Sequence, residues 1–178
     1  MANTHHKVRD TQTPASGRTA SAARGGQAQP AHQADPVWTE TQARSRALEA
    51  QVVALFNQQR ASHGLAPLKV DTRLGQAAQA HSADMLRHGY FAHDDAHGAW
   101  DARIRRYVKR TQVGEILSFG SGEYATPAGM VQTWMQSPEH RRIILTPDLR
   151  RVGLGVATGT YKGQESVSMA TADFSSAA

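Results

Sequence analysis

The segment "RVGLGVAT", residues 151–158, constrains the fold more than any other stretch of the chain. Val152, Leu154 and Val156 alternate with Gly153 and Gly155, a period of two that marks a β-strand. One face of this strand carries branched apolar side chains and the other carries none. A bare strand face lets a helix or another backbone approach closely. Downstream, "GTYKGQ" has turn chemistry. "ESVSMATADF" then reads as a second strand, with Val167, Met169 and Thr171 on one side. The expectation is an antiparallel hairpin with something bulky pressed against its glycines.

Upstream the apolar period changes to that of a helix. Leu48, Val52, Leu55 and Phe56 fall at i, i+4, i+7 and i+8, which predicts a helix running to about His63, with Gly64 as its stop. "LAPLKVD" is expected to be extended, because the residue before Pro67 is biased away from helix. Asp71 suits the N-cap of a second helix that buries Leu74, Ala77, Ala78, His81 and Met85 and ends at Gly89. "AWDARIRRY" predicts a short helix with Trp100 and Ile104 inward. Its cluster of Arg103, Arg105, Arg106, Lys109 and Arg110 reads as a solvated face, with a binding patch as the alternative. "TQVGEILSFGSGEY" reads as either a strand or an irregular connector. Thr126-Pro127 and Ser137-Pro138 each repeat a cap-then-proline signal that opens a helix. Helices followed by a small sheet argue for an α+β chain or a layered α/β/α arrangement.

Residues 1–40 differ in kind. They are rich in Ala, Gly, Gln, Thr, Ser and Pro and nearly devoid of large aliphatics. Such a segment buries too little apolar surface to offset its ordering entropy, so a disordered polar tail or linker is expected there. The folded domain is expected over 41–178. The tail has no apolar core of a secretory signal, which leaves a cytoplasmic location open beside export by a signal outside this sequence. No stretch approaches the roughly 20 apolar residues of a membrane span. The chain has no cysteine, which excludes disulfides, thiolate nucleophiles and cysteine-zinc sites. Its formal net charge of +5 favours anionic surfaces. Nucleic acid is not the expected partner, because the basic residues are scattered and no recognisable nucleic-acid module is present.

Candidate chemistry concentrates in "YFAHDDAHGAW", residues 90–100. His93, Asp94, Asp95 and His97 suit a metal site, a catalytic centre or a polar loop alike. Histidines at i and i+4 chelate together only on a helix, and Gly89 and Gly98 make this segment a loop. Asp94 and Asp95 are expected to satisfy backbone donors ahead of the next helix, and His97 to be exposed. His81, on the apolar stripe of the second helix, reads as a satisfied core histidine or as a cleft residue. No H-E-x-x-H zincin motif occurs and no serine sits in a nucleophile elbow. Ser137 is explained as a helix cap.

The succession "VVALFNQQRASHGLAPLKVDTRLGQAAQAHSADM", "GYFAH", "VGEI", "TWMQSPEHRRIIL" and "RRVGLGVA" resembles the CAP superfamily (the SCP/TAPS domain), in its bacterial, cysteine-free branch, over residues 48–174. The resemblance implies a three-layer α/β/α sandwich with a small antiparallel sheet between helices. It implies a cleft where histidines and acidic residues converge. His93 matches the family's "F-S-H" histidine and Glu115 its "G-E-N" glutamate. Ser137, Pro138, His140 and Arg141 match "S-P-x-H-R", and His81 matches a histidine on the second helix. Ile116, Ile143 and the run Thr146 to Leu149 depart from the family pattern. Some members bind zinc, and His93, His140 and Glu115 are ligand types that zinc takes. A histidine beside a carboxylate also suits a general base. The expected function is an extracellular or cell-envelope binding module, its cleft holding a small molecule, lipid, sterol or wall fragment. The alternative is a zinc-dependent hydrolase using the same cleft.

Overall fold

The structure, a computed structural model, describes residues 3–10 and 36–177. Its sheet comprises β1 (Asn3–Asp10), β2 (Lys69–Val70), β3 (Gln112–Gly120), β4 (Leu149–Tyr161) and β5 (Gln164–Ser176), in the order β1-β3-β5-β4-β2. Neighbouring strands pair antiparallel, except that β2 runs parallel to β4. The sheet is therefore mixed rather than purely antiparallel. The cause is local: the extended connector after Pro67 lies along β4, and the Asp71 N–H donates to the Val152 carbonyl at 2.8 Å. The stretch from Gln112 onward, open between strand and connector in the sequence, is the strand β3.

The helices are α1 (Pro36–Ser62), α2 (Thr72–His88), α3 (Trp100–Tyr107), α4 (Pro127–Gln136) and α5 (Pro138–Ile144). Helices α2 and α3 pack on one face of the sheet, and α1, α4 and α5 on the other. This is the α/β/α sandwich, and the pattern of single residues explains it. Leu74, Trp100, Ile104 and Val113 form an apolar cluster between α2, α3 and β3. Val52, Phe56, Trp134, Ile143, Ile116 and Phe174 share the core of the other face. Among the described residues, no helix is long and apolar enough to cross a membrane.

The hairpin β4–β5 turns at Lys162 and Gly163, with φ of 49° and 79°, the positive-φ pair of a tight two-residue hairpin. Its glycines carry the layer above. A Cβ on Gly153 would lie 2.0 Å from the Gly75 nitrogen, and one on Gly155 would lie 2.0 Å from the Gln79 nitrogen. The α2 backbone thus rests directly on β4. Both ends of α2 form as expected: the Asp71 side chain accepts from the Arg73 N–H, and Gly89 closes the helix at φ 68°.

Within the segment 1–40, expected as a disordered polar tail or linker, residues 3–10 are placed as the edge strand β1 and α1 begins at Pro36. Strand pairing draws on backbone N–H and C=O groups, which a polar composition keeps, whereas the compositional argument counts only apolar burial. Residues 11–35 lie outside the described residues. Ser137 does not cap α5 through its side chain; its hydroxyl donates instead to the Glu139 carboxylate at 3.2 Å.

Candidate functional site

Alternation along β3 decides what meets what. Val113, Glu115 and Leu117 face α2 and α3, while Gly114 and Ile116 face α1, α4 and α5. On β5, Met169, Thr171 and Asp173 share the first face, and Ala170, Ala172 and Phe174 the second. Glu115 therefore points into the layer where α2, α3 and the loop between them converge.

There it is fully buried, and both of its oxygens are engaged. The His93 Nδ1 donates to Glu115 Oε1 at 2.7 Å. Arg103 donates through Nη2 to Glu115 Oε2. The other arm of the Arg103 guanidinium, Nη1, reaches the His93 carbonyl at 2.9 Å and Asp95 Oδ2 at 3.1 Å. One planar cation thus ties β3 to two points of the preceding loop, the fork geometry for which arginine is suited. Burial alone would raise the Glu115 carboxyl. The hydrogen bond from His93 and the positive charge of Arg103 outweigh it and hold Glu115 below the usual carboxylate range, so it is ionised.

His81 lies one layer above, on α2, with its Nε2 3.0 Å from the Ala92 carbonyl. A carbonyl only accepts, so Nε2 carries the proton. Burial pushes the imidazole down, against the opposing pull of Glu115, so the ring is neutral. This bond fixes the chain immediately before His93. Asp94 accepts from the Trp100 N–H at 3.1 Å and Asp95 accepts from the His97 N–H at 2.7 Å. These are the loop duties anticipated for both residues, and His97 is exposed. Asp95 does more, because its second oxygen pairs with Arg103.

Three functional groups were not anticipated. Arg103 was grouped with a solvated basic face, yet it is 3% exposed. Trp100, Arg103 and Ile104 fall at i, i+3 and i+4, so the inward stripe of α3 already contained it. Asp95 was read only as a loop residue. Asp173 is fully buried and paired with Glu115 across the β3–β5 ladder. It continues the alternation of Val167, Met169 and Thr171, and that signal placed it on the inner face. Neither Asp173 oxygen receives a hydrogen bond from a donor. Burial first, and the Glu115 charge second, push its carboxyl well above the usual range, so it is a neutral acid.

His140 does not join this group. It is buried on α5 with Ile143 and Ile144. The Ile143 side chain approaches within 3.3 Å of the position that a Cβ on Gly114 would take. That is the face of β3 opposite to Glu115. The sheet thus separates His140 from His93 and Glu115, and a set of three ligands from these residues does not assemble. Among the described residues, no three His, Asp or Glu side chains are arranged to hold a metal ion. With His140 beyond the sheet, His93 and Glu115 alone do not make up a three-ligand zinc centre. The departures Ile116 and Ile143 also belong to the core beyond the sheet, away from Glu115.

The profile of the family described as CAP, cysteine-rich secretory protein family, matches residues 53–173. The chain belongs to this family, although it contains no cysteine. It is 34% identical over 122 residues to the uncharacterized protein YkwD of Bacillus subtilis, an alignment covering 67% of this chain and 46% of that protein. The chain thus spans less than half the length of this relative. Among solved structures, it is similar to an extracellular protein containing an SCP domain from Bacillus anthracis. That match has 25% identity and a TM-score of 0.63, and it covers 86% of this chain and 45% of the other. An outer surface protein from Borrelia burgdorferi shares the fold at 18% identity and a TM-score of 0.61, over 71% of this chain and 90% of that one.

Proposed function

We propose that this chain is an extracellular or cell-envelope binding module. In this reading the cluster of His93, Glu115, Arg103 and Asp95 is the rigid floor beneath a ligand-contacting loop, residues 90–99. The observation that carries the reading is the state of Glu115: wholly buried, with both oxygens held by protein donors. A carboxylate so committed positions a loop. The extracellular and outer-surface descriptions of the structural relatives support the location.

The test is titration of the labelled protein with fatty acid, sterol and muropeptide probes, read by backbone amide shifts. The expected result is saturable perturbation centred on residues 90–99 with one of these probes. The competing reading, a zinc-dependent hydrolase, predicts stoichiometric zinc in the native protein and a hydrolytic activity that disappears in Glu115→Gln. Those two results together would replace the binding reading.

A further inference from the structure

A cavity of about 690 Å³ opens at the end of the sheet where β3 begins and β5 finishes, lined among others by Lys109, Arg110, Thr111, Asp148, Arg150 and Ser176. Three of these residues are cations and one is a carboxylate. Among the described residues, none of the three cations makes an ion pair.

The cations are held in place by the fold rather than scattered on it. The ladder between β4 and β5 slips by one residue, so that Leu149 faces Ser176 and Arg151 faces Ser175. Arg150 is the extra residue, exposed and left out of the pairing. A bulge of this kind re-aims a side chain away from the sheet. On the facing wall, Arg105 donates to the backbone carbonyls of Arg110 and Thr111. Lys109 donates to the Arg105 carbonyl at 3.2 Å. These bonds pin the loop that carries Lys109 and Arg110. The Thr111 and Ser176 hydroxyls, 3.3 Å apart, tie that loop to the end of β5. Positive charge from Arg150 also reaches the buried Arg60, where it adds to burial in lowering that guanidinium.

From this we infer that the cavity is a binding site for a phosphate ester of a sugar or polyol. The Arg150 guanidinium, the Arg110 guanidinium beyond the Nη1 that donates to the Lys109 carbonyl at 3.2 Å, and the Lys109 ammonium suit the charge and the several oxygens of a phosphate. The Thr111 and Ser176 hydroxyls add neutral donors. Asp148, at the same rim, repels a bare anion but accepts hydrogen bonds from ligand hydroxyls. The mixed lining therefore selects an anion that carries hydroxyls. The site shares no residue with the His93–Glu115 cluster, so the two readings stand or fall separately.

The test is calorimetric titration of the full chain with glycerol 3-phosphate, glycerol and inorganic phosphate at low salt. Glycerol 3-phosphate is expected to bind, and to bind at least several-fold more tightly than inorganic phosphate, while glycerol alone does not bind. Lys109→Gln with Arg150→Gln should weaken binding about tenfold or more, with the melting temperature nearly unchanged because both side chains are exposed. Asp148→Asn should erase the preference over inorganic phosphate. No binding of glycerol 3-phosphate, equal affinity for the two anions, or binding unchanged in the double variant would each overturn the assignment.

Discussion

Glu115 and Asp173 stand opposite each other across the β3–β5 ladder, both wholly buried, yet only Glu115 accepts hydrogen bonds from His93 and Arg103. Two carboxylates cannot both ionise at such range without a large repulsion, and Arg103 with His93 decides which one does. The pair is therefore one anion and one neutral acid. Asp173→Asn replaces a neutral acid by a neutral amide of the same shape and is expected to change stability at pH 4 by less than about 1 kcal/mol, and to stabilise the protein toward pH 7, where the parent must keep a proton that its unfolded chain releases. Glu115→Gln leaves Arg103 buried with a weakened partner and is expected to cost about 3–5 kcal/mol. Urea unfolding of the two variants beside the parent checks the contrast. A larger loss in Asp173→Asn than in Glu115→Gln would mean that the charge sits on Asp173.

The same pair sets a pH dependence with two limbs. Glu115 is depressed in the folded state, so its contribution is present above its ordinary value of 4.5 and is lost as pH falls through the lower folded value. Asp173 is raised, so the folded state keeps a proton that the unfolded chain releases above 3.8. Its contribution is full below that pH and is lost as pH rises toward the folded value. Stability is expected to decline between pH 4 and neutrality by a component that vanishes in Asp173→Asn. Denaturant unfolding at intervals from pH 4 to 8 measures it; an identical slope in parent and variant would contradict the assignment.

Most of the layer order was legible because it rests on local signals. The alternation of Val152, Leu154 and Val156 with glycine, the Asp71 cap, Gly89, and the two cap-then-proline pairs each record a backbone requirement in a residue type. The meeting of His93 with Glu115 followed from the family resemblance. The position of His140 was not legible, because only the assembled sheet decides which face of β3 a helix such as α5 covers. Arg103 escaped notice for a different reason. Composition places arginines on surfaces, and its burial depends on Glu115 and Asp95 being there to receive it. The spacing on α3 and the alternation on β5 did contain Arg103 and Asp173, and following each period one residue further would have found them.

Arg103 ties three segments with one charge, so its removal should be far more costly than that of its neighbour. Arg103→Met leaves Glu115 and Asp95 without their cation and is expected to destabilise by about 3–5 kcal/mol. Arg106, exposed on the outer side of the same helix, should change stability by no more than about 0.5 kcal/mol when made Met. Thermal melts of both variants check this. The amide signals of residues 92–98 should broaden or shift in Arg103→Met alone, since that loop is what the guanidinium holds.

Gly155 tests the contact on which the layer above the sheet depends. Its backbone needs no unusual φ, so the requirement for glycine there is one of space. An added Cβ would sit 2.0 Å from the Gln79 nitrogen and 2.3 Å from the Ala78 carbonyl carbon, and a helix backbone cannot swing aside as a side chain end can. Helix α2 would have to lift from β4. That movement pulls the Ser82 hydroxyl from the Gly155 carbonyl, now 3.0 Å away, and His81 from the Ala92 carbonyl. Gly155→Ala is therefore expected to cost about 3 kcal/mol or somewhat more, at or beyond the upper end of ordinary overpacking. Gly64 provides the contrast. At φ 69° with open space around its Cβ position, Gly64→Ala should cost only about 1 kcal/mol of backbone strain. Urea unfolding ranks the two variants. A Gly155→Ala protein as stable as Gly64→Ala would show that α2 can ride higher on the sheet than its present contact requires.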